Sequence, residues 1–191
     1  MGINLENVEK KFNKIIETSE WDKLQKDFIA ADDIFVIGNG GNFAVASHAA
    51  TDASRLLPKC VTTLDSPSML TSTANDYGYE SIFKKWLEDY KPRMRENSMI
   101  IGLSSSGNSK NIVDALQWGL ENDCTVGLIS GQKSKAVTDN VNEVNCKCEF
   151  FHSHEILCLM LFYELIHNAG GHCPSILDEV ERKTGKPIQI K

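Results

Sequence analysis

Four serines fall within six residues at Ser104-Ser105-Ser106-Gly107-Asn108-Ser109. A continuous apolar run, Met99-Ile100-Ile101-Gly102-Leu103, leads into them, and Ile112, Val113, Leu116 and Leu120 follow at helical spacing. The pattern predicts a buried strand, a tight loop, and a helix starting near Asn108. Such a helix leaves its first N–H groups unpaired and carries partial positive charge at that end. A phosphate placed there satisfies both. The hydroxyls of Ser104, Ser105, Ser106 and Ser109 add donors for its oxygens, and Gly107 lets the backbone come close. The plain alternative is a polar turn with Asn108 or Ser109 as an ordinary N-cap.

A second loop, Gly38-Asn39-Gly40-Gly41-Asn42, follows the apolar run Ile34-Phe35-Val36-Ile37 and repeats the arrangement. Asn39, Gly40, Gly41 and Asn42 are therefore candidate ligand contacts. The loop has neither the glycine spacing of a dinucleotide site nor the lysine of a nucleotide P-loop, so no nucleotide cofactor is expected. Further on, His152 and His154 alternate, which on a strand end would turn both to one side, with Glu155 opening the next helix. Cys146-x-Cys148 just before them invites a structural-zinc reading. The spacing is not that of a zinc knuckle, and both cysteines fit one face of a buried strand.

The remaining elements frame these loops. Leu5, Val8, Phe12, Ile15 and Ile16, then Trp21, Leu24 and Phe28, mark a helical hairpin over residues 1–32, outside the sheet. Residues 42–57 read as a helix stopped by Pro58, and 60–64 as a short strand. Ile82, Phe83, Trp86, Leu87 and Tyr90 mark another helix, closed by Pro92. Val126 to Ile129 and Val144 to Phe150 read as strands. The last long helix, from about Ser153 to Asn168, is apolar all round, which predicts burial between helices or subunits. Residues 33–170 form the main domain, and 171–191, with Pro174 and Pro187, a surface extension. Strands alternating with helices mean an α/β sandwich on a parallel sheet.

Composition narrows the partners. The chain has 191 residues, 41% hydrophobic and 24% charged, with a formal net charge of −6. That balance fits one globular domain and disfavours a nucleic acid as the main partner. No apolar run is long enough to span a bilayer, so no membrane partner is expected. The start lacks the apolar core of a leader, and the six cysteines, mostly in apolar stretches, read as reduced thiols of a cytoplasmic protein.

With the segment Ala74-Asn75-Asp76-Tyr77-Gly78-Tyr79-Glu80 added to the two loops, residues 5 to 168 resemble the sugar-isomerase (SIS) domain family. The nearest group is the phosphoheptose isomerases. The resemblance implies a flavodoxin-like three-layer sandwich, a homotetramer with sites at subunit interfaces, and aldose–ketose interconversion of a sugar phosphate such as sedoheptulose 7-phosphate. It implies phosphate binding by Ser104, Ser105, Ser106 and Ser109, with Asp76 lining the same pocket. It also implies zinc or another divalent metal. His48 falls on the family's ligand histidine, and Asp52, one turn later, stands where Glu is usual. His152-Ser153-His154-Glu155-Ile156 sits where the family has a Gln-Glu pair on its last helix, and the family's later histidine is replaced by Met160 or Phe162. His48, Asp52, His152 and His154 are thus the candidate metal ligands, and His48, Asp52, His154 and Glu155 the candidate catalytic groups. The plain alternative makes His48 and Asp52 a solvated pair. A non-catalytic sugar-phosphate-binding or protein-binding scaffold is the other reading of the chain.

Overall fold

The computed structural model describes residues 2–185, so Pro187 of the expected extension lies outside the described residues. Two helices come first, α1 (Val8–Ile15) and α2 (Ser19–Ala30), followed by β1 (Asp33–Gly38), α3 (Gly41–Leu56) and β2 (Cys60–Thr62). Then come α4 (Pro67–Tyr77), α5 (Ile82–Tyr90), β3 (Ser98–Ser104), α6 (Lys110–Glu121) and β4 (Thr125–Ser130). The order closes with β5 (Asn142–Asn145), α7 (Phe151–Asn168) and α8 (Ile176–Thr184). The five strands form one parallel sheet in the order β2-β1-β3-β4-β5. β1 and β3 are buried along their whole lengths, as continuous apolar strands between two helical layers must be.

One layer is α1, α2, α3 and α7. Ala46, Ala49, Ala50 and Ala53 give α3 a small-residue face that lets it lie close to the sheet and to Leu157, Leu161 and Leu165 of α7. The hairpin belongs to this layer, because Trp21, Leu24 and Phe28 are buried in the same core as β1 and β3. The opposite layer is built on Phe83, Trp86 and Leu87 of α5 with Ile112 and Leu116 of α6. No helix among the described residues is long and apolar enough to cross a membrane.

Two local expectations are corrected, and two helices that the sequence reading did not place are added. The segment around Ala74 to Tyr77 is the end of helix α4, which the sequence reading missed. Its start was signalled by Ser66, whose hydroxyl accepts from Met69 N, and by Pro67 in the first turn. The strand expected over Val144 to Phe150 is only Asn142–Asn145, since Lys147 takes a positive φ of 52° and breaks the ladder. The last long helix therefore starts at Phe151, and His152 and His154 lie in its first turn, about 200° apart around the axis, instead of on a strand. The tail also carries a helix, α8, capped by Ser175 and buried nowhere.

Candidate functional site

In the order β2-β1-β3 the parallel sheet grows to one side of β1 with β2 and to the other with β3, so the winding switches between β1 and β3. The connection from β1 leaves on one face through α3, and that from β3 on the other through α6. A crevice opens at the carboxyl ends of these two strands, where open α/β sheets bind ligands. Gly38 is in register with Leu103, so loops 38–42 and 104–109 rise from the crevice side by side.

The serine loop is built for close approach. Gly107 has φ +71°, and a Cβ there would sit 2.7 Å from the carbonyl oxygen of Gln132. Ser104 and Ser109 hydroxyls lie 3.1 Å apart, and Ser106 Oγ accepts from Asn108 N at 3.1 Å. Ser109 is the N-cap of α6, and its side chain makes no capping hydrogen bond to that helix. Ser105 differs from its neighbours: its hydroxyl accepts from Asn42 Nδ2 at 3.1 Å and meets His154 Nδ1 at 3.0 Å. Ser105 therefore ties the two loops to α7 through its side chain.

His154 is fully buried, with Cys158 Sγ 3.4 Å from its Nε2. Burial pulls its pKa down to about 4, so the imidazole is neutral near pH 7. It positions Ser105, at the floor of a small pocket also lined by Ser106, Gln132, Phe150 and Phe151. Glu155, next to it, points the other way. Its carboxylate occupies the space beside Gly41, where an added Cβ would come within 2.2 Å of it. The start of α3 thus receives a negative charge at its positive end.

Asn39 is pinned on both sides. Its amide exchanges two hydrogen bonds of 2.9 Å with the buried Asn111 of α6, and Tyr79 donates to its Oδ1 at 2.9 Å. Asp76 sits in the last turn of α4, exposed, and accepts from Asn75 Nδ2 at 2.8 Å. Asn111 escaped the sequence reading. Its signal was a polar residue next to Ile112, on the flank that packs against the sheet.

The candidate metal ligands do not converge. His48 and Asp52 do meet on α3, with Nε2 to Oδ2 at 3.5 Å. Between them stands Tyr163 of α7, its hydroxyl 2.9 Å from His48 Nε2 and 3.1 Å from Asp52 Oδ2. His152 instead stacks on Phe150 with ring centroids 5.5 Å apart, and its Nε2 lies 2.7 Å from Asn4 O. His154 is enclosed as described. Among the described residues no group of three or more His, Cys, Asp or Glu is placed to hold a metal ion, and the expected four-ligand set does not fit. Cys146 and Cys148 are free and buried, and burial raises both thiols.

Against known proteins, no family model matches the chain. A phosphoheptose isomerase of Geobacter sulfurreducens is 36% identical over 117 residues, 57% of this chain and 59% of that protein. One of Fusobacterium nucleatum is 35% identical over 127 residues, 61% and 63% of the two chains. Over these stretches the chain is similar in sequence to phosphoheptose isomerases. The match to the Geobacter sulfurreducens protein covers 59% of that relative's length. Among solved structures, the Neisseria gonorrhoeae phosphoheptose isomerase superposes with a TM-score of 0.72 at 20% identity, over 87% of this chain and 92% of that one. The Francisella tularensis phosphoheptose isomerase gives 0.71 at 15% identity, with the same coverage. The fold is therefore the sugar-isomerase fold, and the β1–β3 crevice is the part of it described above.

Proposed function

We propose that the chain is a phosphosugar isomerase that interconverts a ketose phosphate and an aldose phosphate, with sedoheptulose 7-phosphate as substrate. One observation carries the reading: two glycine- and serine-bearing loops lie side by side at the β1–β3 crevice, and α6, which starts at the end of the serine loop, has no side-chain cap from its N-cap residue. The name shared by the curated relatives supplies the reaction class. Moving a proton between C1 and C2 needs a base at the carbon and a proton donor at the oxygen. His48 and Asp52 lie on α3, the helix that starts at the crevice. His48 is seven residues from Gly41, a separation of about 10 Å along the helix axis.

We further propose a cytoplasmic homotetramer. The outer side of α7 supports it, where Ile156 is 39% exposed and Leu159, Met160 and Tyr163 are partly uncovered. A binding protein without turnover is the second reading. Phe162, one of the two positions aligned with the usual histidine, is buried, and a fold neighbour is a Vibrio vulnificus protein complexed with ManNAc-6P, at 14% identity and TM-score 0.61. Phosphate recognition is common to both readings. Calorimetry with sedoheptulose 7-phosphate on Ser104→Ala/Ser106→Ala should show affinity weakened at least about tenfold, the effect of one lost hydrogen bond to a charged group. Unchanged affinity would remove the serine loop from the site.

A further inference from the structure

The resemblance leads one to expect a metal joining His48 and Asp52, and the structure places a phenol between them instead. We propose that Tyr163 holds His48 and Asp52 in one hydrogen-bonded relay without a metal, and leaves Nδ1 of His48 as the nitrogen that takes up the substrate proton. The second half of this statement rests on the isomerase reading. The first half does not.

Donor counting fixes the direction of the relay. A tyrosine hydroxyl has one proton, and an ionised carboxylate can only accept. With Tyr163 Oη 3.1 Å from Asp52 Oδ2, the hydroxyl proton goes to Asp52. The tyrosine oxygen then needs a donor on its other side, and His48 Nε2 lies there at 2.9 Å. Nε2 must carry the proton, so Nδ1 of the neutral ring keeps its lone pair. The direct His48–Asp52 separation of 3.5 Å is too long for a good hydrogen bond, which makes the phenol the link. The side chain of His48 is 51% exposed, so the free nitrogen is open to a ligand.

The same contacts disfavour a metal at this point. An ion binding Nε2 and Oδ2 would have to break both bonds to Tyr163. The other two expected ligands offer no compensation, since His152 is held at Asn4 and His154 is buried against Ser105. The phenol comes from the last long helix, which in the family supplies a histidine. Neither aligned position provides a polar group: Met160 has none, and Phe162 is 1% exposed. Tyr163, one residue on, is the side chain that reaches α3.

The test uses the full chain with ¹⁵N-labelled histidine, in wild type and Tyr163→Phe, with the His48 signals identified by their loss in His48→Gln. At about pH 9, wild type should show His48 as a single Nε2–H tautomer with a slowly exchanging proton. Tyr163→Phe should show tautomer averaging and fast exchange. On sedoheptulose 7-phosphate, Tyr163→Phe should lose at least about tenfold in kcat with KM within about twofold, the pattern of a lost transition-state contribution. An Nδ1–H tautomer in wild type overturns the proposal. So does one equivalent of zinc retained against a chelator and lost in His48→Gln, and so does a Tyr163→Phe enzyme with unchanged kcat. If the tautomer behaves as expected but wild type converts no ketose phosphate, the isomerase reading falls and the relay stands.

Discussion

Acidification should destabilise this protein through one residue, His154, well before its carboxylates titrate. The side chain is fully buried, and burial lowers its pKa from 6.5 to about 4. In the unfolded chain the imidazole takes up a proton near pH 6.5, while in the folded chain it stays neutral until about pH 4. Between those values the unfolded state binds more protons, so stability falls as pH falls. The shift is about 2.5 units, a ceiling of roughly 3 kcal/mol, and about 2 kcal/mol of it is lost between pH 7.5 and 5. With a urea m-value of about 2 kcal/mol/M, the midpoint should drop by about 1 M over that window. Working above pH 5 keeps Asp33, held low by its bond to Arg95, out of the measurement. His154→Gln cannot titrate there, so its midpoint should change far less over the same window, whatever its absolute stability. Parallel wild-type and His154→Gln curves would refute the argument, because they would mean that His154 is not the proton-linked group.

Two other predictions concern the loop and the assembly. Gly107→Ala must hold alanine at φ +71° with its Cβ 2.7 Å from the Gln132 carbonyl oxygen. The left-handed backbone costs about 1–2 kcal/mol and the crowding about 1–3, so the melting temperature should fall by about 5–15 °C. A fall under about 2 °C would show that the serine loop is not built as described. Light scattering at micromolar concentration should give a tetramer mass, and a monomer mass would contradict a subunit interface on the outer side of α7.

The sheet was legible because β1, β3 and β4 are continuous apolar runs followed by glycine or serine loops, and that pattern has few other meanings. The serine loop was legible for the same reason: the strand fixes where it starts and Ile112 and Leu116 fix the helix after it. What failed was local phase. Lys147 in a positive-φ conformation ends β5 early, and nothing in Cys146-Lys147-Cys148 announces that break. Once the helix starts at Phe151, His152 and His154 part company and the expected ligand cluster dissolves. The same phase decides that Tyr163, and neither Met160 nor Phe162, meets His48. Helix α4 was not legible although Ser66-Pro67 is a good helix start, because it buries no residue and so carries no apolar stripe at helical spacing.

The central claim is tested most directly by incubating the purified full chain with sedoheptulose 7-phosphate and following the carbohydrate by ¹H and ¹³C NMR in buffered D₂O. The aldose phosphate should form with deuterium entering at C1 or C2, and both should be lost in His48→Gln and in Asp52→Asn while phosphate affinity is kept. Sedoheptulose 7-phosphate that binds but neither isomerises nor exchanges its C1 protons would contradict it.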